Sequence, residues 1–351
     1  MEETTRVRRT VAGRVSAAAV ARAAGVSPAA VSYVMNGKGG VAPDTRRRVL
    51  SVARDLGFQP RRPAPAVDPD RSRVIGLVMP NIINPVYPCF AQGIVSAGAA
   101  AGYEVFVATT QDDPDVLRQV TATLIERNAD GVILAGTLRE DATALRLLRA
   151  AKIPFACLSR RSPYLEADFV GIDDDAAAEA MMRHVLSHGH TEIATVIGPR
   201  LSSSSLTREQ AFIRTAAAAG VEIGGDRKIS TALSSAGGRI AAERLFAADR
   251  PPRAVVCGSD EIAIGIMEHA VARGLRVPED VAVTGGDGHP HSISALIDLT
   301  TVVQPQQEMA VEALGLVLKR IERPSTVHQS LICAHRLHIG RTCGCDPAAR
   351  R

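Results

Sequence analysis

The sequence has no tryptophan, and aromatic residues make up only 3% of its 351 positions. A base-stacking platform or an aromatic-lined cleft has few side chains to draw on. Long apolar runs are missing too, and none approaches the ~20 residues of a membrane span. The stretch 11–24 carries Arg14 and Arg22 inside its only apolar part, a poor signal peptide, so a cytoplasmic protein without a membrane partner is expected. The six cysteines (Cys89, Cys157, Cys257, Cys333, Cys343 and Cys345) are scattered, as buried thiols of a reducing compartment would be. There is no G-x-x-x-x-G-K-[ST], no G-x-G-x-x-G after a strand and no G-x-S-x-G. With no catalytic constellation, neither an enzyme nor a cofactor is expected.

What is present is an uneven charge. The net +4 divides into +8 on residues 1–62, where twelve Arg and Lys face four acids, and −4 on the rest, with 29 basic against 33 acidic groups. A basic head on a mildly acidic body fits a polyanion-binding module, although charge alone fits a solvated tail equally well. The head also carries folding signals. Ser16 can cap a helix over Ala17–Ala24, and Gly25 suits its left-handed end. Ser27 and Pro28 open a second helix to Met35, which stops near Asn36-Gly37, and a third runs from Pro43 to about Leu56. Val20, Val31, Val34, Val49 and Leu50 could supply a small three-helix core. Two short helices joined by G-V-S follow the helix-turn-helix plan. Ser27, Ser32 and Asn36 suit phosphate contacts, and Lys38 and Arg46–Arg48 add counterion-releasing charge.

The run V-A-R-A-A-G-V-S-P-A-A-V-S-Y-V-M-N-G-K, followed by V-A-P-D-T-R-R-R-V-L and L-G-F-Q-P, resembles the DNA-binding head of the LacI/GalR family of bacterial regulators. The resemblance implies that Pro28, Ala29 and Tyr33 reach base edges. Pro28 and Ala29 offer only apolar contact there, so DNA shape and phosphate positioning should carry much of the specificity. Ser16, Thr45, Arg46 and Arg61 complete the expected DNA-binding set. Family members follow the head with a hinge helix that wedges a leucine into the minor groove. Here Val67 stands at that position, and Pro63 and Pro65 would interrupt such a helix, so an extended proline-rich linker is the bland alternative.

After Arg73 short apolar runs alternate with helical segments, which implies parallel sheets covered on both faces. The expected fold is α/β: a three-helix helix-turn-helix domain over 1–60, a Pro-rich linker over 61–72 and a two-lobed core over 73–340. The first lobe is placed at about 73–165 and 304–330, the second at about 166–303 and 331–340, with a tail at 341–351; Phe169–Ile172 is read as opening the second series. I-G-L-V-M-P-N-I-I-N-P-V-Y, D-G-V-I-L and G-L-R-V-P-E-D-V-A-V-T-G-G-D are similar to the family's core, itself akin to periplasmic sugar-binding proteins.

That resemblance implies an effector cleft lined by Tyr87, Ser159, Arg208, Ser259, Asp260 and Asp287. Arg208 would donate a fork of N–H groups and Asp287 would accept from hydroxyls, which suits a carbohydrate. Arg208 could instead be a surface ion pair and Asp287 a turn cap. The expected protein is a homodimeric transcription regulator, a repressor by preference, that binds pseudo-palindromic operator DNA under control of a small polar effector. A solute-binding protein or a sugar-modifying enzyme is the alternative on such a core.

No metal is expected. His184 and His188 share a helix face with His190 nearby, but no acid completes a ligand set, and Cys343-Gly-Cys345 alone is too little for a zinc site. Asp173-Asp174-Asp175 reads as acids at a helix start. Ser202–Ser205 resembles a phosphate loop only loosely.

Overall fold

Caps and turns fix the head. Helix α1 (Ala17–Ala24) starts where the Ser16 side chain accepts from the Ala19 N–H and ends at Gly25, whose φ of 63° is the left-handed conformation that glycine adopts without strain. Helix α2 (Pro28–Met35) is capped by Ser27, whose Oγ accepts from the Ala30 N–H at 3.1 Å, and the chain bends by 106° between the two helices. Helix α3 (Pro43–Asp55) closes the bundle over Val20, Ala21, Ala24, Val31, Val34, Val49 and Ala53. Leu50, expected in this core, is 42% exposed: Val49 and Ala53, four residues apart, form the inward stripe, and Leu50 lies about 100° round the helix. The computed structural model describes residues 16–35, 40–56, 58, 71–140 and 142–345. They belong to two compact units, 1–69 and 70–351. The linker reading at 61–70, Val67 included, lies outside the described residues, as do Asn36, Lys38 and Arg61.

The larger unit opens with β1 (Val74–Met79), α4 (Val86–Ala100), β2 (Glu104–Thr109), α5 (Pro114–Glu126), β3 (Gly131–Leu134), α6 (Thr143–Ala150), β4 (Phe155–Leu158) and β5 (Asp168–Ile172). It continues through α7 (Asp174–Ser187), β6 (Ile193–Ile197), α8 (Ser203–Ala218), β7 (Lys228–Ser230), α9 (Ser235–Phe246), β8 (Ala254–Cys257), α10 (Asp260–Ala272), β9 (Ala282–Gly285) and β10 (Thr300–Val303). Helix α11 (Gln306–Glu322), β11 (Ser330–Cys333) and β12 (Arg336–His338) complete it. The strands form two six-stranded sheets, β11-β5-β4-β3-β1-β2 and β12-β10-β9-β8-β6-β7. Every pair is parallel except β10 with β12. Strand alternation serves both faces of each sheet: in β6, Val196 joins the core under α9 and α10 with Ile262 and Leu245, while Ile197 joins the core with Met181, Met182 and Phe212 of α7 and α8. No single helix among the described residues is long and apolar enough to cross a membrane.

The lobe boundaries differ from the sequence expectation. β5 does not open the second series: it pairs with β4, with Ala156 opposite Asp168, so the first lobe runs on to residue 172. β11 pairs with β5 and also belongs to the first lobe. The buried Asp168 holds this edge together, accepting from Arg320 Nη2 at 2.9 Å and from the Gln329 N–H at 2.8 Å, which ties β5 to α11 and to the approach of β11. The chain thus passes between lobes three times, near residues 173, 304–305 and 334–335. Nor is 341–345 a loose tail: the Val283 N–H donates to the Thr342 carbonyl at 2.8 Å, and Thr342 Oγ1 donates back to the Val283 carbonyl at 2.6 Å.

Candidate functional site

In the head, α2 presents Ser27, Pro28, Ala29, Ser32 and Tyr33 to solvent on one side while Val31 and Val34 are buried on the other. Tyr33 is 48% exposed, a large ring held out of the core. Ser16 and Ser27 use a hydroxyl oxygen to cap their helices, which leaves each O–H proton available to a phosphate. Thr45 and Arg46 are half-buried on the first turns of α3, and Arg47 there is paired with Asp44.

In the larger unit, the carboxyl ends of strands from both sheets converge on one cleft. The first lobe contributes Asn84 and Tyr87 after β1, and Ser159 and Arg160 after β4. The second contributes Ser204, Ser205 and Arg208 of α8, Leu233 after β7, Gly258 after β8, Asp287 after β9 and Gln304 after β10. The free volume among these residues is about 30 Å³, space for a water molecule or two rather than a sugar, and a larger space of about 340 Å³ adjoins it at Ser159, Arg161, Asp174 and Ser204. Two backbone groups of the first lobe donate across the gap, Arg139 N–H to the Leu201 carbonyl at 2.8 Å and Arg161 N–H to Ser203 Oγ at 2.9 Å.

Arg208 is at the centre. Its Nε donates to Asp174 Oδ1 at 2.8 Å, and its Nη1 donates to the Gly258 and Gly286 carbonyls at 2.6 and 3.2 Å and lies 3.7 Å from Asp287 Oδ1. This decides against a helix-surface ion pair. Gly286 has to be glycine, because a Cβ there would stand 2.9 Å from the Gly258 carbonyl oxygen and 3.3 Å from Arg208 Nη1. Asp287 accepts from Gln304 Nε2 and from the Asp260 N–H, each at 3.0 Å. Burial and the Asp260 carboxylate push the Asp287 carboxyl up to about 7, against the pull of Arg208. Gln304 Oε1 is buried without a partner among the described residues, an acceptor left for a ligand or a water.

On the facing side Arg160 is buried, donates to Tyr87 Oη at 2.8 Å and pairs with Asp112. Burial pushes the Tyr87 hydroxyl up despite Arg160, so it stays protonated. Ser159 holds a left-handed φ of 64°, and that turn carries the chain from the end of β4 to Arg160.

Two expected cleft residues do other work. Asp260 is fully buried, and its carboxylate accepts from the N–H groups of Gly286, Asp287, Gly288 and His289 and from the hydroxyls of Thr301 and Ser292. It builds the turn that presents Asp287. Ser259 caps α10, its Oγ accepting from the Ile262 N–H at 3.3 Å, and the cleft takes the backbone of Gly258 instead. Arg160, Asn84, Asp174 and Gln304 were missed by sequence reasoning. A basic doublet straight after a buried strand, Arg160-Arg161, was the signal available for the first.

Residues 4–61 match the model of bacterial regulatory proteins of the lacI family, and residues 182–343 match a periplasmic binding protein-like domain. The regulator DegA of Bacillus subtilis is 33% identical over 84% of this chain and 87% of its own length. The chain belongs to the lacI family. The regulator reg1 of Streptomyces lividans is 32% identical over 94% of this chain and 97% of its own. Among solved structures, a complex of the transcriptional regulator CelR with cellobiose aligns with a TM-score of 0.71 at 27% identity, covering 94% of this chain and all of that one.

This lacI-family chain holds a helix-turn-helix and a two-lobed core. It also holds titratable clusters outside the cleft. Glu261, His289 and His291 lie together, His289 fully buried, with neither ring nitrogen hydrogen-bonded among the described residues and Nε2 3.8 Å from Asp260 and 3.9 Å from Glu261. His184 and His188, set aside in the sequence for want of further ligands, are met by Cys343 and Cys345, which the fold brings back from more than 150 positions away.

Proposed function

We propose that this protein is a transcriptional repressor that binds pseudo-palindromic operator DNA as a homodimer and senses a carbohydrate-class effector in its cleft. Pro28, Ala29 and Tyr33 meet base edges, while Ser16, Ser27, Ser32, Thr45 and Arg46 position the phosphates. In the cleft, Arg208 and Arg160 donate, Asp287 and Gln304 Oε1 accept, and Asn84, Tyr87 and Ser159 complete the polar lining. The observation that carries the reading is this convergence of donors and acceptors at strand carboxyl ends in a chain that also holds the helix-turn-helix. The cellobiose bound by the related regulator CelR supports a sugar as the ligand class. With about 30 Å³ among Arg208, Asp287, Tyr87 and Arg160, a sugar reaches these groups when the lobes part, so the effector acts by differential affinity for lobe arrangements. A second copy of the chain fits the free edge of the first sheet, where β2 exposes Phe106 by 61% and Val107 by 45%.

Calorimetric titration of the full chain with mono- and disaccharides tests the cleft. At least one sugar should bind at one site per chain, and Arg208→Lys should weaken it about 100-fold through loss of the planar fork. Gln304→Leu, which keeps the ion pairs intact, should weaken it by about tenfold. Binding unaltered by both substitutions would refute the placement.

A further inference from the structure

We infer that His184, His188, Cys343 and Cys345 form a tetrahedral structural zinc site that staples the end of the second lobe to helix α7.

The four side chains offer one ligand atom each, and these atoms all lie within 4.8 Å of one another. Cys345 Sγ is 3.2 Å from His188 Nε2 and 3.7 Å from His184 Nε2. Zinc bound at ~2.3 Å to sulfur and ~2.0 Å to nitrogen sets tetrahedral ligands roughly 3.3–3.8 Å apart, so the cluster needs to tighten by at most about 1.5 Å. Thiolate and imidazole together in a tetrahedral S₂N₂ set favour zinc over harder cations.

The fold supplies the geometry from two sides. On α7, His184 and the C-terminal cap residue His188 are one turn apart and share a face, with ring centroids 4.9 Å from each other. The segment after β12 is fixed residue by residue. The Gly340 N–H donates to Thr300 Oγ1 at 3.0 Å, the Arg341 N–H to the Asp298 carbonyl at 2.7 Å, and the Thr300 N–H to Thr342 Oγ1 at 3.0 Å. Cys343 follows and is buried, and the left-handed turn at Gly344, φ 87°, brings Cys345 round to the histidines. Two thiols two positions apart on a pinned segment, facing two histidines on a rigid helix, are pre-organised ligands rather than a chance encounter.

Zinc binds cysteine as thiolate and histidine as neutral imidazole, so loading the site releases the thiol protons. Binding is balanced as Zn²⁺ plus two thiols and two imidazoles giving a neutral complex and two protons released to solvent, with no oxidation. All four positions are filled by protein, so the site is structural and leaves no open position for catalysis. The tie is local: β12 is three residues long and, among the described residues, pairs with β10, and the ion would add a link from the segment after it to α7.

The test uses the untagged full chain, purified under reducing conditions, with elemental analysis and cobalt substitution. It should carry one zinc per chain, and Co²⁺ should give the visible bands and thiolate charge-transfer absorption of a tetrahedral sulfur–nitrogen site. Cys345→Ser, at a half-buried position, should weaken zinc binding by about 100-fold or more, since even a residue that merely orients a ligand costs 10–100-fold. His190→Gln, whose ring lies 6.3 Å from that of His188, should leave zinc content unchanged. A reduced chain that takes up no stoichiometric zinc, a Cys345→Ser variant that binds as well as wild type, or a Cys343–Cys345 disulfide persisting under reduction would each overturn the assignment. The cobalt spectrum of the unsubstituted chain keeps the test independent of how any variant folds.

Discussion

Asp260 and Asp287 are both buried carboxyls, yet they do different work. Asp260 has six protein donors and is spent on structure. Burial, with the carboxylates of Asp260 and Glu261 facing it, raises the Asp287 carboxyl against the Arg208 guanidinium and leaves it at about 7. An aspartate in an unfolded chain titrates near ~3.9, so the folded chain holds this proton more tightly. Its contribution to stability is complete below about pH 4 and is lost as pH rises through about 7. Thermal unfolding from about pH 5 to about pH 8 should therefore show the wild type losing stability relative to Asp287→Asn as pH rises. A difference that stays constant over that range contradicts the assignment. The cleft positions of Arg208 and Asp287 were legible in the sequence because each stands in a recognisable pattern. The roles of Ser259 and Asp260 were not, since an Asp at a helix start looks the same whether it meets a ligand or closes a turn from 26 to 41 residues away. Arg160 was hidden for a related reason: its partners, Tyr87 and Asp112, are 73 and 48 residues distant.

At the scale of elements, the head was almost entirely readable, because caps, glycine turns and proline starts act within three or four residues. Gly25 is the sharpest case. A Cβ there meets nothing within 4 Å, so Gly25→Ala adds only the intrinsic cost of the left-handed conformation, roughly 1–2 kcal/mol. Hydrogen exchange across α1 and α2 should accelerate accordingly, by about 5- to 30-fold, with exchange in β1 and β3 unchanged. Unaltered exchange in α1 and α2 would count against the turn. The assignment of strands to sheets was less legible. Asp168–Ile172 is an apolar strand with no local mark of which sheet it joins; the pairing with β4 and the tie from Asp168 to Arg320 decide, and the latter spans 152 residues. The Cys343–Cys345 pair was unreadable on the same grounds, since its histidines lie at the other end of the lobe's sequence.

At the scale of the whole molecule, the charge that first separated head from body also sets how the protein should bind DNA. With Pro28 and Ala29 carrying no hydrogen-bonding side-chain groups, much of the +8 of residues 1–62 is expected to serve the phosphate backbone. Operator affinity should then fall by about 10³-fold or more between ~50 and ~200 mM salt, as for proteins that make many phosphate contacts. Fluorescence anisotropy at graded ionic strength reads this directly, and a nearly flat dependence would contradict the role of the head.

We propose that this one chain couples its head to its cleft. The coupling is tested most directly by operator binding of the full chain, titrated by anisotropy with and without a saturating amount of a sugar that calorimetry has shown to bind the core. Operator affinity should change by about fivefold or more. Identical affinity in both conditions would contradict the coupling, because a ligand that binds all lobe arrangements equally shifts none of them.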